Sequence, residues 1–198
     1  ARPHVFQRGS SSRTLLLLHG TGADEHDLLG LARALDLEAS VLSPRGMHLE
    51  SGMNRFFERY PDGSFNEASI DQGVAELSEF IEAAIVEYEL DRSNIFGAGF
   101  SNGANTAAAL LIKHPALLSG AALFGSTKPY RAVDDINLKG KHIWLANGDQ
   151  DPYAPVQVSE AWVQELHSFG ADIKWLRHPG GHQISQSHVT EIANALYL

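Results

Sequence analysis

Short apolar runs and longer amphipathic stretches take turns along the chain. Residues 13–18 (RTLLLL) stop at His19-Gly20 and read as a buried strand, and 40–44 (SVLSP) as a second one ended by proline. Between them, 27–35 sets Leu28, Leu31 and Leu35 at helical spacing. Over 69–89, Ile70, Val74, Leu77, Ile81 and Ile85 fall on one stripe with acids opposite, which predicts a long amphipathic helix. Residues 93–98 form a strand that runs into a glycine-rich turn, and 102–113 an alanine-rich helix stopped near Pro115. Further strands are predicted at 119–124, 142–147 and 172–177, and helices at 156–169 and 187–198. Strands alternating with helices imply an α/β chain with a mainly parallel central sheet covered on both faces, a three-layer α/β/α sandwich. Ligands of such sheets bind beyond the carboxyl ends of the strands, so catalytic groups are to be sought just after them.

One stretch breaks the rhythm. Residues 45–66 (RGMHLESGMNRFFERYPDGSFN) are loop-like and aromatic, a short insert within one domain over 1–198. Met47, Leu49, Met53, Phe56 and Phe57 in it suggest an apolar lip over a site, with Met53, Phe56 and Phe57 as pocket residues. The same apolar residues would equally serve a homodimer. Arg55 reads as a solvated side chain, with contact to an anionic substrate group as the alternative.

Composition narrows the function. The 198 residues are 43% hydrophobic and 20% charged with no cysteine, as in an ordinary soluble protein without disulfides or thiolate metal sites. A net charge of −9 without a Lys/Arg cluster argues against a nucleic-acid partner. No apolar run is long enough to span a bilayer, so membrane insertion is not expected, and the absence of cysteine and of a signal-peptide core suits a cytoplasmic protein.

Gly99-Phe100-Ser101-Asn102-Gly103 fits G-x-S-x-G, a pattern chance would supply in about one chain of this length in fifteen. Its weight comes from context. A strand precedes it and a helix follows it, as a nucleophile elbow requires. A serine hydroxyl needs a base within hydrogen-bond reach. Of ten histidines, His182 in the loop PGGHQI after a predicted strand is the best placed, with His178 at that strand's end as the alternative. GDQDPYAP, after HIWLAN, offers Asp149 and Asp151 for the carboxylate that orients the base. The Asn102 amide and the Thr21 amide, in HGTG after the first apolar run, are the expected donors to a developing oxyanion. His19 is expected to be structural.

The segments LLLLHGTGADEHDLLGLA, LSPRG, GFSNGANTAAALL, NGDQDPYAPV and GGHQIS together resemble the phospholipase/carboxylesterase family of α/β-hydrolases, over nearly the whole chain. HGTGADEHDL, RFF and GFSNGAN are most similar to bacterial carboxylesterases associated with hydroquinone degradation. Acyl-protein thioesterases are more distant and usually carry Gln where this chain has Asn102. The resemblance implies an α/β-hydrolase fold without a separate cap domain. It implies Ser101, Asp151 and His182 as the triad, Asp151 being the last residue of G-x-x-D, and the Thr21 and Asn102 amides as oxyanion donors. The segment FGSTKPYRA is more polar than the family pattern and bears on the outer pocket. The expected activity is carboxylesterase action on small to medium acyl or aryl esters, a small-molecule ester being the partner, with no metal or organic cofactor. Acyl thioesterase or lysophospholipase-like action, a protease or C–C hydrolase using the same triad, and a hydrolase fold that only binds a small molecule are the alternatives.

Overall fold

The four leucines of Thr14–Leu18 part to two sides: Leu15 and Leu17 join one core cluster, Leu16 and Leu18 another. Successive strand side chains point to opposite faces, so an unbroken apolar run is what a strand covered on both faces demands. The computed structural model describes residues 2–197. Its strands are β1 (His4–Gln7), β2 (Thr14–Leu18), β3 (Ser40–Pro44), β4 (His48–Glu50), β5 (Met53–Arg55), β6 (Ile95–Phe100), β7 (Gly120–Phe124), β8 (His142–Gly148) and β9 (Asp172–His178). The helices are α1 (Leu29–Leu35), α2 (Glu67–Glu87), α3 (Asn102–Lys113), α4 (Val156–Ser168) and α5 (Gln186–Ala195). Seven strands form one sheet in the order β1-β3-β2-β6-β7-β8-β9, parallel except for the β1–β3 pair at the edge.

Three layers result. Ala32 and Leu35 of α1 and Val189 and Ile192 of α5 pack with Leu15 and Leu17 on one face. The stripe Ile70, Val74, Leu77, Ile81 and Ile85 of α2, the alanines of α3, and Trp162 and Leu166 of α4 cover the other. α2 begins two residues ahead of its predicted start, because Asn66 caps it by accepting the Ser69 amide at 3.2 Å. β1 was not anticipated. It is a four-residue antiparallel edge strand whose residues are only half-buried, too short and too mixed to stand out.

Residues 45–66 are more ordered than a loop. β4 and β5 pair as an antiparallel hairpin across Ser51-Gly52, both at positive φ (51° and 80°), the conformation a tight two-residue turn needs. The hairpin lies against the loop after β2: the Gly22 amide donates to Asn54 O at 3.0 Å, and Asn54 Nδ2 donates to Ala23 O at 3.0 Å. No cap domain stands over the sheet among the described residues, and none of their helices is long and apolar enough to cross a membrane.

Candidate active site

The carboxyl ends of β2, β6, β7, β8 and β9 point to one side, and the side chains singled out by sequence lie in the loops that follow. Ser101 sits between β6 and α3 at φ 56°, ψ −118°, a region that costs a non-glycine residue about 1–3 kcal/mol. Two backbone bonds hold it there: its amide donates to Phe124 O on β7, and its carbonyl accepts from the Asn105 amide, both at 2.9 Å. The turn also demands its second flanking glycine. A Cβ on Gly103 would come 1.9 Å from Leu18 O, so α3 approaches β2 only because that position is bare.

His182 and Asp151 meet the serine from two other loops. His182 Nε2 lies 2.8 Å from Ser101 Oγ, and Nδ1 lies 2.6 Å from Asp151 Oδ2. With Nδ1–H donating to the carboxylate, Nε2 is left to accept the serine proton. The Asp151 side chain is fully buried, and its second oxygen accepts the Tyr153 amide at 2.8 Å. Asp149, the other candidate, faces outward and pairs with Arg177 at 2.8 Å. His178 does not reach the serine. Its ring accepts the Gly180 amide at 3.1 Å and donates to Gln183 O at 3.2 Å, shaping the loop that carries His182.

The loop after β2 is braced from three directions. His19, buried, donates through Nδ1 to Gly20 O at 2.7 Å and accepts the Gly46 amide on Nε2 at 2.9 Å; burial pushes its pKa down, which keeps it neutral in this role. Glu25 takes a two-pronged bond from Arg45, both contacts 2.7 Å, and its carbonyl accepts from Ser43 Oγ. The segments HGTGADE and SPRG are therefore joined in space. The Gly22 amide is spent on Asn54 O and the Ala23 amide on Gly20 O, while the Thr21 amide has no partner among the described residues. The Asn102 amide opens α3, where helix geometry provides no intrahelical acceptor. Both residues line the cleft beside Ser101.

Arg45 holds the Glu25 carboxyl at about 2, against an ordinary 4.5. A carboxyl depressed by folding stabilises the native state fully above its unfolded value and progressively less as pH falls toward the folded one. We expect Glu25→Gln to lower stability at pH 7 by about 1–3 kcal/mol, the Arg45 side chain being half-exposed. Urea unfolding at pH 7 and pH 3 checks this: the difference between variant and parent should shrink at the lower pH.

The cleft holds about 670 Å³. Its walls are mixed rather than apolar: Phe65, Phe100 and Tyr153 stand beside Thr21, Asn105 and Thr127. The predicted pocket residues are elsewhere. Phe57, 1% exposed, and Phe56, 6%, belong to the core under α2, with Phe57 edge-on to Phe65 at 5.2 Å. Met53 packs beside Gly22, and neither it nor the two phenylalanines lines the cleft. An aromatic pair in a polar insert reads alike whether it covers a ligand or plugs the core. Here the second role is the one filled, and Phe57→Ala should cost about 3–5 kcal/mol of stability by urea unfolding while leaving relative rates on uncharged esters of different chain length unchanged. Phe56 still touches the site through its backbone, its amide donating to Asn102 Oδ1 at 2.7 Å.

Several lining residues went unremarked in the sequence. Phe100 and Tyr153 flank the His182 ring with centroids 5.0 Å and 4.8 Å away. Phe100 fills the first x of G-x-S-x-G and Tyr153 follows Asp151 by two positions, so adjacency to the motifs is the available signal. The polar segment 124–132 owes its character to a buried network. Asn105 Oδ1 accepts from Ser126 Oγ and the Thr127 amide, each at 2.9 Å, and Asn147 bonds the Ser126 backbone.

Comparison with known proteins adds a relationship over the full length. The profile of a family described as phospholipase/carboxylesterase matches residues 5–198. The protein MhqD of Bacillus subtilis (strain 168) is 38% identical over 194 residues, 98% of this chain and 96% of its own. Among solved structures, the Bacillus cereus carboxylesterase superposes with a TM-score of 0.95 at 42% identity, covering 98% of this chain and 92% of that one. A structure of YahD with malic acid gives 0.93 at 26% identity, covering 99% and 98%.

Proposed function

We propose that the chain, which belongs to the phospholipase/carboxylesterase family of α/β-hydrolases, is a serine carboxylesterase that hydrolyses small to medium acyl or aryl esters. The observation that carries this reading is the unbroken hydrogen-bonded path from the buried Asp151 carboxylate through His182 to Ser101 Oγ, ending in the wall of a cleft. His182 Nε2 takes the serine proton as Oγ attacks the ester carbonyl. The carbonyl oxygen, now anionic, turns to the Thr21 and Asn102 amides, each such donor being worth about 10²–10³-fold in rate. Asp151 stabilises the imidazolium without taking its proton. Collapse of the tetrahedral species expels the alcohol, which leaves with the proton from His182, and Ser101 is acylated. Water, deprotonated by the same imidazole, attacks the acyl-enzyme and frees the acid. Every step draws on side chains, backbone amides and water.

A fluorophosphonate probe tests the reading. An activated serine displaces fluoride and keeps the phosphonyl group, so mass spectrometry should find the adduct on the peptide bearing Ser101. A protein that remains unlabelled at Ser101 under conditions that label a reference serine esterase would overturn it.

A further inference from the structure

Arg55, at the end of β5, is not the solvated side chain its surroundings in the sequence suggested. It is 3% exposed and yet forms part of the cleft wall. Nε donates to Phe57 O at 3.0 Å, Nη1 to Thr21 Oγ1 at 2.5 Å, and the guanidinium rests over the Phe57 ring at 5.4 Å. Nη2 bonds to nothing among the described residues and keeps some exposure, on a side chain that lines the cleft. The neighbouring arginines are neutralised, Arg45 by Glu25 and Arg59 by a two-pronged bond to Glu50 at 2.9 Å and 3.0 Å. Arg55 makes no ion pair among the described residues. Burial lowers its pKa to about 10, which leaves it cationic at neutral pH.

The Glu50 carboxylate that Arg59 binds acts on Arg55 only through space, so this buried cation has no anion in direct contact among the described residues, a costly arrangement for a fold, and a guanidinium is built to grip a carboxylate. The other unpaired charges along the cleft, Asp27 and Asp62, are exposed and screened by water, and Asp62 already accepts from the Ser64 amide and hydroxyl. His182, which would protonate the leaving alcohol, lies between Phe100 and Tyr153. Arg55 instead hangs from Thr21, on the loop that would receive the carbonyl oxygen.

We propose that Arg55 binds an anionic group at the far end of the acyl chain, so that the favoured substrates are half-esters of dicarboxylic acids. The inference rests on the esterase reading above and names its substrate class. Monomethyl glutarate and methyl pentanoate have the same length and differ only in a terminal carboxylate against a methyl group. Followed by pH-stat, wild-type kcat/KM should favour the half-ester at least tenfold, and Arg55→Met should cut that ratio by tenfold or more, whatever happens to the absolute rates. A merely structural Arg55, bracing Thr21, would lower both substrates by one factor and leave the ratio unchanged. That result, or a wild-type preference for methyl pentanoate, overturns the proposal. Should Arg55→Met fail to fold, Arg55→Lys, which keeps charge but loses the fork, should still reduce the ratio severalfold. A preference confined to 4-acetoxybutanoate over butyl acetate would place the anion on the alcohol side and overturn the assignment to the acyl end. If no ester is turned over at all, the esterase reading falls by itself. Calorimetric binding of glutarate, present in wild type and lost in Arg55→Met, then still reports on Arg55, and its absence from wild type overturns the proposal.

Discussion

Replacing Ser101 with alanine is expected to lower kcat/KM for ester substrates by about 10⁴- to 10⁶-fold and to change folding stability by less than about 1 kcal/mol. The two halves of this expectation have separate origins. Among the described residues Ser101 Oγ has one partner, His182 Nε2, on a ring that is 21% exposed, so water can take the place of the lost hydroxyl. Alanine meets the same backbone restriction at φ 56° as serine, and the bonds to Phe124 O and from the Asn105 amide need no side chain. The chemistry has no substitute nucleophile, because every other hydroxyl along the cleft lacks the imidazole. What survives is the part that the oxyanion amides and substrate binding supply to attack by water. p-Nitrophenyl butyrate hydrolysis and urea unfolding, measured on one preparation, check both. Activity within tenfold of the parent would remove Ser101 from the mechanism.

Asp151→Asn should cost about 10⁴-fold in kcat, while Asp149→Asn should stay within about twofold. Asp151 is sealed beneath the His182 ring and accepts its Nδ1 proton at 2.6 Å. An amide there can offer N–H to Nδ1 and so favour the imidazole tautomer with its proton on Nε2, which cannot then accept from Ser101. Asp149 is separated from that chemistry by only two positions in sequence. Its carboxylate, held below the usual range by Arg177, lies on the outer surface, where an ion pair contributes little. Steady-state kinetics on the two variants therefore test which acid acts, with nearly identical changes in composition. Equal losses would show that the turn as a whole matters rather than one oxygen.

The pairing of these two aspartates shows where sequence reasoning reached its limit. Periodicity located the leucines of β2 and the stripe of α2 because each is set by a repeating geometry that burial enforces along the entire element. The approximate places of Ser101, Thr21 and His182 followed from the rule that ligands meet the carboxyl ends of parallel strands. Within a turn that rule is silent. Asp149 and Asp151 both follow β8, and only the three-dimensional course of GDQDPY sends one inward. The β4–β5 hairpin is illegible in sequence for a related reason: three-residue strands carry almost no alternation, and their stability comes from each other and from the loop of Gly22 and Ala23, to which Asn54 bonds. Arg55 and Phe57 depart from their sequence reading because an insert's inside and outside are decided by what it folds onto. Met53, an apolar residue at 40% exposure, and Arg55, a cation at 3%, invert the usual partition within a few positions.

The Ser101–His182 contact joins residues 81 positions apart, and the His182–Asp151 contact residues 31 apart. Each partner is presented by a different strand, with β7 lying between β6 and β8. Long-range parallel pairing is slow to assemble, because chain entropy is lost before the contacts form. Turnover is accordingly a late reporter of refolding: helix signals should recover first, and ester hydrolysis only when β9 has docked and brought its loop over the elbow. However much of the chain has folded before the His182 loop docks, it stays chemically silent until then.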